Sequence, residues 1–195
     1  SAGIAAPGRF REVPDDLFER AMAINYFGSL WCVRAALPAM TDAGAGRIVL
    51  VSSGAALVGV FGYAPYAPSK FAVRGFTEAI SQDLADTHIR VSCVQPGGVK
   101  TGIVRSGRMD MGDNEGPTPD ELAEQFEKMA ALYPEQAAQI ILRGVERNRL
   151  RILVGRDAHL LAWLQRLFPE RYAKVLTWLS KLGERRMASG QGSPG

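Results

Sequence analysis

The run Arg47-Ile48-Val49-Leu50-Val51-Ser52-Ser53 limits the fold class. Its centre is apolar and β-branched without a polar alternate, so as a strand it has to be covered on both faces, which is the habit of parallel sheets. A second strand follows at Ile89-Arg90-Val91-Ser92-Cys93-Val94, and between them Tyr66, Phe71, Val73, Phe76, Ile80 and Leu84 recur at helical spacing. Leu150-Arg151-Ile152-Leu153-Val154-Gly155 reads as a last strand, preceded by a helix that Pro134 opens and that runs from Glu135 to Arg147. Upstream, Leu17, Met22, Ile24, Phe27, Leu30, Trp31, Val33 and Leu37 predict one long helix to about Met40, with Asp15 and Asp16 supplying negative charge at its start. Ala43-Gly44-Ala45-Gly46 breaks it. The chain is therefore α/β.

Chemistry concentrates in Tyr66-Ala67-Pro68-Ser69-Lys70. With Pro68 in the first turn of a helix, where its missing N–H costs nothing, the phenol and the ammonium four residues apart share a face. A neighbouring cation favours the phenolate and moves a tyrosine toward proton exchange near neutral pH. Ser53 ends the first strand thirteen residues before Tyr66, and Asn25 sits in an otherwise apolar helix twenty-eight residues before Ser53. The second strand runs straight into Gln95-Pro96-Gly97-Gly98-Val99-Lys100-Thr101. Taken singly, the Tyr–Lys pair reads as a surface pair, Ser53 as a strand-end cap, Asn25 as a buried polar residue and Pro-Gly-Gly as a turn. Their order and spacing resemble the short-chain dehydrogenase/reductase family over about residues 1–157, with its Asn, Ser, Tyr, Lys tetrad and its Pro-Gly loop.

That resemblance implies a doubly wound, Rossmann-like parallel sheet and hydride transfer between a nicotinamide and a carbonyl or alcohol carbon. It implies that Tyr66 exchanges the proton on the substrate oxygen, Lys70 lowers its pKa and meets the nicotinamide ribose, and Ser53 polarises the same oxygen. Asn25 would kink its helix and hold a water leading to Lys70. Pro96, Gly97 and Gly98 would pass close to the nicotinamide, where a missing Cβ matters, with the Val99 backbone and the Thr101 hydroxyl on its carboxamide. Ala2 and Gly3 match the tail of the family's Asn-Asn-Ala-Gly motif, although Ser1 stands where the pattern has Asn. Tyr63 is a rival phenol without a Lys four residues on. The glycine-rich strand-turn-helix that opens such folds is not in this sequence, so the expectation is a C-terminal portion of the family fold, and NAD and NADP both stay open. The Asn25 and Tyr66 helices would build a dimer interface in a homodimer or homotetramer.

At 195 residues and 47% hydrophobic content one core suffices, and a net charge of +3 gives little support to nucleic-acid binding. Charge is uneven: residues 110–135 hold eight acids against Lys128, and 143–186 hold eleven Lys or Arg against four acids. His88 and His159 stand alone, without a metal-ligand cluster. Cys32 and Cys93 read as buried thiols in a reducing compartment. No leader or long apolar span is visible, which points to the cytoplasm or a membrane surface facing it. Residues 54–65, uncharged around Val58-Gly59-Val60-Phe61-Gly62, would border an apolar, lipid-like substrate. Residues 102–116 read as a mobile loop, Asp120–Leu132 as a helix, and 187–195 as a disordered tail. Residues 158–186 read as added helices, Leu160 to Leu182 joined at Phe168-Pro169, with Tyr172, Val175, Leu176, Leu179 and Leu182 on one face, Lys174, Lys181 and Arg185 opposite and Trp178 beside them. Two rival readings stand beside the enzyme: a non-catalytic fragment or pseudo-enzyme, and a peripheral membrane protein.

Overall fold

The computed structural model describes residues 3–103, 120, 121, 124, 126, 128 and 130–179. Its helices are α1 (Asp15–Ala21), α2 (Gly28–Asp42), α3 (Tyr66–Asp83), α4 (Pro134–Glu146) and α5 (Arg156–Leu167). Its strands, β1 (Gly46–Val51), β2 (Ile89–Pro96) and β3 (Arg151–Val154), form one parallel sheet in that order. In register, Val51 lies beside Val94, and Pro96 beside Val154. The strands thus bring their C-terminal ends to one rim.

Side-chain alternation explains how helices cover both faces. Ile48, Leu50, Ile89 and Val91 pack against Val33 of α2 and Val73 of α3, whereas Val94, Ile152 and Val154 pack against Ala137 of α4. Val73, Val94 and Val154 expose no surface, a burial of roughly 1.5–3 kcal/mol each. At Gly144 helix α4 comes so close to β3 that a Cβ would lie 2.6 Å from the Ile152 side chain. The sheet is doubly wound, as expected.

Several boundaries differ from the sequence reading. The long helix from Asp15 is interrupted by a π-helical turn, Met22–Phe27, which contains Asn25. The kink foreseen at Asn25 is this widened turn. Ser52 and Ser53 lie beyond the end of β1, and a 3₁₀ turn, Gly54–Ala56, follows. The helix expected over Asp120–Leu132 is described as helical at 120, 121, 124, 126 and 128, but 130–132 are not helical and Leu132 bridges to Val99. Helix α5 begins at Arg156, ahead of the expected Leu160, and a second helical stretch covers 172–179. Cys93 is buried but Cys32 is exposed, because α2 turns that face outward. The mobile loop foreseen from Gly102 lies almost wholly outside the described residues, as do Lys181, Leu182, Arg185 and the tail from Met187.

Candidate active site

The rim formed by the ends of β1 and β2 gathers the expected residues. Helix α3 starts at Tyr66, and its first turn contains Pro68, so Lys70 returns to the same face and places Nζ 5.7 Å from the centre of the Tyr66 ring. Lys70 is buried and its Nζ donates to Val51 O at 3.2 Å, at the last residue of β1. Ser53 does two things. Its Oγ accepts from the Ala55 amide at 3.1 Å, capping the 3₁₀ turn, and its side chain acts on the Tyr66 phenol, favouring the ionised form. The strand-end cap is thus present, beside the phenol.

Burial controls the titration. It raises the Tyr66 phenol above its ordinary value; the Ser53 side chain opposes this and the neighbouring Tyr63 adds to it. Tyr63, whose ring centre is 6.0 Å from that of Tyr66, is also raised by burial. Lys70 is itself lowered to about 8 by burial. Lys70 is not among the groups that shift Tyr66, although its ammonium stands near the ring; desolvation is the largest cause and keeps the phenol protonated at neutral pH.

Asn25 is buried and fully engaged. Its Oδ1 accepts from Ile4 N at 2.9 Å, and its Nδ2 donates to Ile4 O at 3.2 Å and to Ser69 Oγ at 2.9 Å. Ser69 Oγ in turn donates to Tyr66 O at 2.7 Å, and Ser52 Oγ donates to Lys70 O at 2.7 Å. The side chain of Asn25 therefore ties the segment entering the site to the start of α3. Gly3 lies against the same groups: a Cβ there would sit 2.9 Å from Asn25 Oδ1 and 3.3 Å from Lys70 Nζ. Ala2 lies outside the described residues.

Across the rim, Pro96 ends β2 and the chain turns at Gly97 and Gly98. Gly97 N donates to Val154 O at 2.8 Å, and Gly98 N donates to Asp157 Oδ2 at 2.6 Å. A Cβ on Gly97 would collide with both oxygens of that carboxylate. Leu132 N donates to Gly98 O, and Lys100 N donates to Leu132 O at 2.9 Å. In such a parallel bridge the N–H and C=O of Val99 point to the opposite side. Thr101 follows, exposed. Sequence reasoning missed Ser52, Ser69 and Asp157. The two serines flank residues already singled out, but Asp157 reaches Gly98 across 59 residues and left no local signal.

Among the described residues no group of His, Cys, Asp and Glu could hold a metal ion. A dinucleotide fits better. Gly3 runs against Asn25 and Lys70, Gly97 against Asp157 and Gly98 against the Ala130 backbone, with no room for a Cβ at any of them, and Val99 presents its peptide groups away from the bridge. This is the backbone character that a planar amide bound edge-on requires.

A family model described as "short chain dehydrogenase" matches residues 1–112. The putative oxidoreductase SadH of Mycobacterium tuberculosis is 35% identical over 179 residues, covering 90% of this chain and 63% of the relative. The 3-dehydrosphinganine reductase of Danio rerio is 33% identical over 164 residues, covering 84% of this chain and 47% of the relative. The chain thus spans less than two thirds of the length of these curated relatives. Among solved structures, a short chain dehydrogenase/reductase from Burkholderia phymatum in complex with NAD superposes with a TM-score of 0.72 at 25% identity, over 87% of this chain and 64% of that one. One from Burkholderia cenocepacia in complex with NADP, at 24% identity and a TM-score of 0.70 over 90% of this chain and 66% of that one, shares the fold.

Proposed function

Because this chain belongs to the short-chain dehydrogenase family, we propose that it interconverts a carbonyl and a secondary alcohol by hydride transfer with NAD or NADP. The supporting observation is the buried Tyr66 phenol with the Ser53 side chain acting on it and Lys70 Nζ 5.7 Å from its ring centre, at the rim where β1 and β2 end. When bound, the dinucleotide supplies the hydride that the carbonyl carbon accepts. Tyr66 gives its proton to the carbonyl oxygen as negative charge develops there, and Ser53 hydrogen-bonds the same oxygen. Lys70, a cation below about pH 8, holds charge beneath the phenol and lies beside Gly3, where the ribose would pass. Gly3, Pro96, Gly97, Gly98, Val99 and Thr101 would hold the nicotinamide half. Asn25 positions rather than reacts, through Ile4 and Ser69.

The substrate we propose is an apolar ketone or alcohol. Leu57 and Val58, between β1 and Tyr66 in the chain, are buried among Leu161, Tyr172 and Leu176. Relatives at 31–33% identity are named for lipid-like substrates: 3-dehydrosphinganine reductase, estradiol 17-beta-dehydrogenase 11 of Rattus norvegicus and epidermal retinol dehydrogenase 2 of Mus musculus. A membrane surface facing the cytoplasm suits such a substrate. Among the described residues no helix is long and apolar enough to cross a membrane, but Leu160, Trp163 and Leu167 form an outward stripe on α5, each at least 60% exposed. A second copy would cover Ile24, Phe27, Trp31 and Phe71, which are exposed around α2 and α3.

The test is turnover of a long-chain ketone against acetoin, with NADH and with NADPH, in the presence and absence of anionic liposomes. The proposal expects preference for the long chain. Preference for acetoin together with no liposome binding would discard the apolar substrate.

A further inference from the structure

The proposed reaction leaves unused a dense group of cations along the edge strand β3. A cavity of about 260 Å³ is lined by Arg143 of α4, Arg147 just past its end, Arg149 and Arg151 at the entry to β3, and His159 of α5. Among the described residues no Asp or Glu lines it. None of the residues placed in the reaction lines it either.

Ordinary structural duties do not account for these charges. A cation at a helix C-terminus offsets the carbonyl dipole, equivalent to about half a charge. That duty at α4 is met from β1, where Arg47 Nη1 donates to Val145 O at 2.6 Å and to Asn148 Oδ1 at 2.7 Å. Arg143 and Arg147 are spaced i,i+4 at the end of α4, an arrangement in which like charges repel. Arg149, just ahead of β3, and Arg151, its first residue, line the same cavity and add to the repulsion. The acid that acts electrostatically on Arg151 is Glu78, and it is held by Arg74 at 2.8 Å. Arg74 and Arg166 bring further positive charge toward Arg151.

The cluster is also oriented. Arg151 Nε donates to Oε1 of Gln95 at 2.8 Å, and Gln95 exposes no surface, so the guanidinium plane is fixed while its terminal nitrogens stay available. His159 Nδ1 lies 2.8 Å from Gly155 O; a carbonyl only accepts, so Nδ1 carries the proton and Nε2 is left for the cavity. Planar guanidinium forks match phosphate oxygens in pairs. The volume is small beside the roughly 300–1,000 Å³ of sites that take drug-sized ligands, which favours a phosphate group over a whole nucleotide.

We propose that this cavity binds a phosphate group, presented either as a free diphosphate or as a lipid headgroup. The experiment is calorimetric titration with inorganic pyrophosphate, repeated with saturating NADP so that cofactor competition is visible, and vesicle sedimentation with phosphatidylcholine alone and with phosphatidic acid added. The double variant R147Q/R149Q and a remote control, Arg34→Gln, are compared with wild type, and R143Q serves as a second variant should the double one lose its far-UV circular dichroism. Saturable pyrophosphate binding that NADP does not displace, weakened at least about tenfold in R147Q/R149Q and unchanged in the control, is the expected result. Binding only to phosphatidic acid vesicles, lost in the same variant, assigns the phosphate to a lipid. No saturable binding of either probe, or binding that the arginine variants leave intact, overturns the proposal. Neither readout requires turnover, so the outcome is separate from that of the oxidoreductase reading.

Discussion

Tyr66 and Lys70 are displaced from their ordinary titration ranges in opposite directions by one cause, desolvation. Because Lys70 in the fold titrates at about 8, below its ordinary 10.5, the unfolded chain binds the proton more tightly. The cost of burying the cation is complete below pH 8 and is relieved as pH rises through that value. Tyr63 and Tyr66 act in the reverse sense only nearer their ordinary value of 10.0, and Cys93, ordinarily 9.0, does so alike in wild type and a Lys70 variant, so the difference between the two proteins over pH 8–9 reports Lys70. Across that range wild type should gain roughly 1 kcal/mol on Lys70→Met in urea denaturation; parallel pH dependence of the two proteins would contradict this. Asp157 holds the Gly97–Gly98 turn through the Gly98 amide. Asp157→Ala should raise the KM for NAD(P)H about tenfold while kcat for a saturating ketone changes less, and Asp157→Asn should recover part of it. Asn25, Ser53, Tyr66 and Lys70 were readable from the sequence because their spacing is fixed by strand and helix lengths. Asp157 and Ser69 were not, since their partners are set by how α5 and the segment at Ile4 pack.

At the scale of elements, the β-branched runs and the helical periodicities gave the three strands and the helices between them, because burial on both faces leaves few alternatives, while several boundaries moved by a few residues. What periodicity hides is the local departure. The π-helical turn Met22–Phe27 admits one extra residue per turn and keeps apolar positions in view, so it reads as plain helix. The stretch 172–179 shows the same limit: Tyr172 and Leu176 pack inward beneath α5, whereas Val175 and Leu179 face out, so the single apolar face foreseen there is two faces. Helix α4 meets β3 at Gly144, where a Cβ would press on Ile152. Gly144→Ala should therefore destabilise by about 1–3 kcal/mol despite the better helix propensity of alanine. A urea midpoint at or above that of wild type would show that the contact relaxes freely.

The whole molecule places Tyr66 at the C-terminal rim of a parallel sheet, and it carries an apolar cluster around Leu57 and Val58, an exposed apolar stripe on α5 and a basic edge. If that stripe meets lipid, L160S/W163S should lower sedimentation with anionic vesicles several-fold while turnover of a water-soluble ketone stays unchanged; equal sedimentation would remove the membrane from the account. The doubly wound sheet was readable in the sequence, and so was the family. The basic cavity was not, because Arg143, Arg147, Arg149, Arg151 and His159 converge only when α4, β3 and α5 are packed. The proposed reaction rests on Tyr66 delivering a proton as the carbonyl is reduced. The most direct test is single-turnover stopped-flow oxidation of bound NAD(P)H by a long-chain ketone in wild type and Tyr66→Phe, with cofactor affinity measured separately by calorimetry. The account predicts a rate lower by ~10²–10⁴ in the variant with cofactor affinity nearly unchanged, and a variant rate near that of wild type would contradict it.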